Sequence, residues 1–192
     1  MTPTQAARLR QKIAAIRRVL AREKRTFGGY DDSRGLRYFP PQYFVQLGDF
    51  KGGYTYLRWF ANCFPDDSGF AAFFFDWTLI LFQNGQLPQA AQKALETYYA
   101  DIHLFDHFLG RPRRPSEPWE EAREDAAYTA YWEALGRQAN WGEFTQWLAT
   151  WTATESFQAN ATRFIDLKRQ LHGEKDWEKR GYLVSQLRPG SY

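Results

Sequence analysis

Two stretches, 44-FVQLGDFKGG-53 and 81-LFQNGQLPQA-90, decide how this chain is read. Aligned on Gly48 and Gly85, they pair Phe44 with Leu81 four residues before, Phe50 with Leu87 two after, and Gly53 with Ala90 five after. Each position asks for one physical type. A glycine admits the left-handed backbone that ends a helix, the large apolar residue two later packs into the pair, and the small residue lets two helices approach closely. The pattern predicts two helical hairpins of the same design.

The flanking residues agree. Phe70 to Phe82 is aromatic-rich, and phenylalanine, tryptophan and isoleucine also favour strands. The stretch is long for a strand and lacks alternation, so it reads as a buried helix. Pro88 suits the first turn of its partner, which is expected to run from about Pro88 to His107 on Ala91, Ala94, Leu95, Tyr98, Tyr99 and Ile102.

Through Phe44, Gly48, Phe50 and Gly53, and again Leu81, Gly85, Leu87 and Ala90, the sequence resembles the tetratricopeptide repeats. Pro65, seventeen residues after Gly48, stands where that family commonly closes a repeat. The two glycines are 37 apart, against the family's period of about 34. Departures are visible as well: Pro40 and Pro41 fall inside the expected first helix, which therefore starts at one of them, and Thr97 and Ile102 replace the usual small residue and proline. The resemblance covers residues 34–105 and implies an all-α fold of antiparallel hairpins (α-α superhelix). It further implies a concave surface on the leading helices that holds peptide segments, and the matching positions are Tyr38, Gln42 and Gln46, then Phe75, Leu79 and Gln83, of which Phe75 and Leu79 fit the core equally well.

Extra helices are expected on either side. Leu9, Ile13, Ile16 and Leu20 recur at steps of four, three and four, one stripe of an amphipathic helix over residues 1–27 that Thr2 or Thr4 caps and Gly28 ends. Residues 1–25 hold eight lysines and arginines, Arg10, Arg17 and Arg18 among them, against Glu23 alone, so this segment carries +7 and the rest of the +3 chain carries −4. Arg111 to Pro118 has three prolines and three arginines and reads as a linker. Helices follow over 119–188: one opening at Pro118, an imperfect hairpin around Trp132, Leu135, Gly136, Gly142 and Phe144, an amphipathic helix on Phe157, Ala161, Phe164, Ile165 and Leu171, and a short one holding Trp177, Tyr182, Leu183 and Leu187. A single all-α domain is the expectation for 192 residues.

Composition narrows the function. Hydrophobic residues make up 44%, too many for a disordered chain. The lone Cys63 can form neither an internal disulfide nor a structural zinc site, which suits a reducing compartment, and no apolar run reaches the ~20 residues of a membrane span. A cytoplasmic protein is expected.

Catalytic patterns are sparse. There is no phosphate-binding glycine loop, dinucleotide fingerprint or nucleophile elbow. His103 and His107, four apart beside Asp106, are the weak candidates for a metal site, without the glutamate base of a zinc protease or an identifiable third ligand. Asp31 and Asp32 read as turn residues, and Asp66 and Asp67 as a helix cap. No cofactor and no enzyme activity are expected. The leading expectation is a protein or peptide binding module. Nucleic-acid binding through the basic first helix is an alternative, and a metal-dependent hydrolase using His103 and His107 a third.

Overall fold

A computed structural model describes residues 1–30, 34–120 and 141–187. Every regular element among them is helical: α1 (Pro3–Phe27), a 3-10 turn (Leu36–Tyr38), α2 (Phe39–Leu47), α3 (Phe50–Cys63), α4 (Ala71–Gln83), α5 (Leu87–Ala100), α6 (Leu104–Phe108), α7 (Gly142–Thr152), α8 (Glu155–Gly173) and α9 (Trp177–Gln186). By its internal contacts the chain divides into two compact units, residues 1–93 and 94–192. The division falls within α5 and not at Arg111–Pro118.

In the first unit the helix ends follow from the sequence. Thr2 Oγ1 accepts from the Gln5 N–H at 3.3 Å while Gln5 Oε1 accepts from the Thr2 N–H at 2.8 Å, a reciprocal cap that opens α1. Pro40 and Pro41 sit in the first turn of α2, where a missing N–H costs nothing. Helices α2 and α4 end in the same way. Gly48 and Gly85 take φ of +68° and +71°, and the N–H of the next residue, Asp49 or Gln86, donates to the carbonyl of Phe44 or Leu81 at 3.0 Å. These are paired Schellman stops, in which only glycine avoids backbone strain.

Helices α2, α3 and α4 pack on one another, and α1 packs on α2. Gly53 explains how closely α3 approaches: a Cβ there would stand 2.9 Å from Ile80 Cδ1 and 3.2 Å from Phe44 Cβ. Helix α4 is the centre of this core. Nine of its thirteen residues are buried, Phe75, Leu79 and Ile80 completely. Such burial on nearly all sides decides for helix over strand where propensity alone is divided.

The second unit is built around Tyr98, whose ring lies 5.1 Å from Phe157 and 6.4 Å from both Phe105 and Phe164. Tyr99 stacks on Phe164 at 4.3 Å, and Phe144 and Leu148 are fully buried on α7. The long helix expected from Pro88 to His107 is interrupted. Asp101 Oδ1 accepts from the His103 N–H at 2.9 Å, a local turn that competes with the helix, and α6 starts afresh at Leu104. Residues 111–117 have no regular structure but are anchored: Arg111 donates to Thr152 Oγ1 at 3.1 Å and Arg114 to Tyr98 Oη at 2.8 Å. Pro118 and Trp119 form a turn. The helix expected after them and the hairpin residues Trp132, Leu135 and Gly136 lie outside the described residues. The last two expected helices are α8, burying Phe157, Ala161 and Phe164, and α9, burying Leu183 while Trp177 and Tyr182 stay exposed.

Candidate functional site

At about 100° per residue, the α1 stripe that meets α2 consists of Leu9, Ile13, Ile16, Leu20 and Glu23, with Ile13, Leu20 and Glu23 buried. The opposite side is cationic. Arg18, Arg22 and Arg25 run along its outermost line, Arg10 and Arg17 lie on one flank and Arg8 on the other. All six are exposed, and among the described residues none has a hydrogen bond or an ion pair. The two lysines differ. Lys12 lies over the Tyr43 ring at 5.4 Å, and Lys24 donates to the Gly28 carbonyl at 2.8 Å. Glu23, the only acid of the helix, is turned into the protein, and among the described residues its buried Oε2 has no hydrogen-bond partner. It neutralises none of the six.

The residues expected to line a peptide surface do not stay together on one accessible face. Phe75 and Leu79 are 0% exposed and belong to the core, because α4 is enclosed on both sides of the leading-helix stripe. Tyr38, Gln42 and Gln46 are half-buried and Gln83 is exposed. The amides of Gln42, Gln46 and Gln83 make no hydrogen bond among the described residues. Beside Gln42, Tyr43 is covered by Lys12, so α1 overlies part of this face of α2.

Tyr38 has a different neighbour from the one expected. Its phenol donates to Asp67 Oδ1 at 2.6 Å, Arg37 Nε donates to Asp67 Oδ2 at 2.8 Å, and the Gly69 N–H donates to Oδ1 at 2.8 Å. Asp67 therefore closes a loop onto the 3-10 turn instead of capping a helix. Burial raises its pKa, but the hydrogen bonds from Tyr38, Gly69 and Arg37 and the Arg37 charge hold the carboxyl below the ordinary carboxylate value. Burial and the Asp67 carboxylate raise the Tyr38 phenol. The Arg37 guanidinium also lies between the rings of Tyr38 and Phe64, at 4.6 and 4.9 Å. Tyr56 Oη completes the knot by donating to the Arg37 carbonyl at 2.8 Å. The partners are about thirty residues apart in sequence, and no local pattern announces a contact at that distance.

The histidine pair is separated in role. His103 Nε2 lies 2.7 Å from Glu120 Oε1, and its Nδ1 is buried with no hydrogen-bond partner among the described residues. His107 is exposed on the five-residue α6. Burial raises Glu120, yet the His103 hydrogen bond, the Glu117 N–H and the His103 and Arg113 charges bring it below its ordinary value. Among the described residues no group of three His, Cys, Asp or Glu side chains is placed to hold a metal ion. Asp31 and Asp32 lie outside the described residues. No described helix is long and apolar enough to cross a membrane.

Among the described residues the outer face of α1 and the amides of Gln42, Gln46 and Gln83 keep unused binding capacity, whereas several polar knots spend their members on one another. Compared with protein-family models, with curated proteins and with solved structures, the chain matches none.

Proposed function

We propose that this protein is a non-catalytic binding module: a helical scaffold that presents a recognition surface to another macromolecule in the cytoplasm. In this reading α2–α3 and α4–α5 are two degenerate tetratricopeptide-like hairpins. The matched stops at Gly48 and Gly85 and the close approach at Gly53 support it. Their task is to hold α1, which packs on α2.

The observation that carries the proposal is the outer face of α1. Six exposed arginines, without a counter-charge among the described residues, repel one another along a rod of roughly 37 Å. Such an array costs the free protein some stability and returns it when an anionic partner supplies the missing charge. Immobilised heparin is a simple polyanion for the test. Wild-type protein is expected to be retained at near-physiological salt, and the triple variant Arg10→Gln, Arg17→Gln, Arg18→Gln to elute far earlier. Wild-type protein in the flow-through at low salt would end this reading.

A second reading keeps the peptide surface, reduced to Tyr38, Gln42, Gln46 and Gln83. Its support is the unused hydrogen-bonding capacity of the three amides, which suits the backbone of an extended segment. Phe75 and Leu79 take no part, being buried. A peptide partner whose affinity is indifferent to Gln42→Ala and Gln46→Ala would exclude this surface.

A further inference from the structure

We infer that the partner of α1 is the sugar-phosphate backbone of duplex DNA, with the helix seated along the major groove. This rests on the reading of α1 as the recognition surface and adds the class of its ligand. Three observations favour a duplex over an acidic protein.

The first is where the charges lie. Arg18, Arg22 and Arg25 occupy the crest, Arg10 and Arg17 one flank and Arg8 the other, so the cations cover the whole solvent-facing half of the helix. A flat acidic surface neutralises only the crest. A groove with a charged wall on each side neutralises crest and flanks together, and the B-form major groove, about 12 Å wide, admits one α-helix.

The second is what fills the space between the arginines. Ala14, Ala15 and Ala21 are exposed there with Gln11, and no aromatic or large aliphatic side chain is on this half. Protein interfaces draw most of their energy from buried aromatic and aliphatic anchors, which this face lacks. Alanine keeps the rod slim enough to enter a groove.

The third is the kind of cation. Guanidinium forks hold phosphate oxygens bidentately, and the two lysines of the helix are the residues engaged with the protein itself.

The test is fluorescence anisotropy of the full chain with a labelled DNA duplex of about 20 base pairs, long enough to span α1. Unlabelled duplex DNA, A-form duplex RNA and poly-glutamate serve as competitors. Duplex DNA is expected to bind and to lose about a thousandfold in affinity between about 50 and 200 mM salt if all six arginines meet phosphates. The triple variant Arg10→Gln, Arg17→Gln, Arg18→Gln is expected to flatten the log-log salt slope by about 3. RNA is expected to compete poorly, because its major groove is too narrow for a helix. Competition by poly-glutamate equal to that by DNA, or by RNA equal to DNA, would overturn the duplex assignment and leave the anionic-partner reading standing. Failure of every polyanion to bind would overturn both.

Discussion

The arginines of the outer α1 face and the arginines inside the two units behave as two populations. Arg37 and Arg114 each hold a carboxylate, Asp67 at 2.8 Å and Asp106 at 3.1 Å, and each lies against a tyrosine ring. Arg8, Arg10, Arg17, Arg18, Arg22 and Arg25 hold nothing among the described residues. An arginine engaged on three sides organises the fold, and one without partners is available for something outside it. The separation can be tested residue by residue, because structural and recognition roles predict opposite effects on stability.

The largest loss is expected in the α4 core. Phe75→Ala removes a ring with no exposure and should cost about 3 to 5 kcal/mol in urea unfolding. A loss under about 1 kcal/mol would return Phe75 to the surface and revive the six-residue peptide site. Next comes the Arg37 knot. Asp67→Ala leaves the Tyr38 hydroxyl, the Arg37 guanidinium and the Gly69 N–H without their shared acceptor and should cost about 2 kcal/mol.

The same knot sets a pH window. The Asp67 pKa is lowered by folding, so its contribution is complete above the unfolded value, about 3.9, and is lost as pH falls through that region. The Tyr38 pKa is raised, so its contribution is complete below about 10 and is lost as pH rises beyond. The difference in urea midpoint between wild type and Asp67→Ala should be constant between these limits and shrink as pH falls below the lower one. Smaller still is the effect expected for Gln42→Ala with Gln46→Ala, within about 0.5 kcal/mol, since neither amide is hydrogen-bonded among the described residues.

How much of this was legible beforehand follows from the range of the interactions. Local signals were sound: the Thr2 cap, the glycine stops, the proline start of α2 and the apolar stripe of α1 depend on neighbours within a turn. The break at Asp101 was missed because an Asp bonding two residues ahead looks like any polar residue in a helical pattern. Position within a repeat left Phe75 and Leu79 equally fit for a groove or for the core, because burial depends on what covers the helix. The Arg37, Tyr38 and Asp67 cluster was invisible for the same reason. The basic face of α1 was visible as composition, but its freedom from ion pairs among the described residues could be read only from three-dimensional placement.

The most direct test of the distinction is the urea midpoint of the Arg10→Gln, Arg17→Gln, Arg18→Gln variant at low ionic strength, beside wild type. The midpoint is expected to equal that of wild type or exceed it, because among the described residues the three cations have no partner to lose and their mutual repulsion is relieved. A lower midpoint would mean that these arginines hold the fold, and α1 would cease to be a surface kept for a partner.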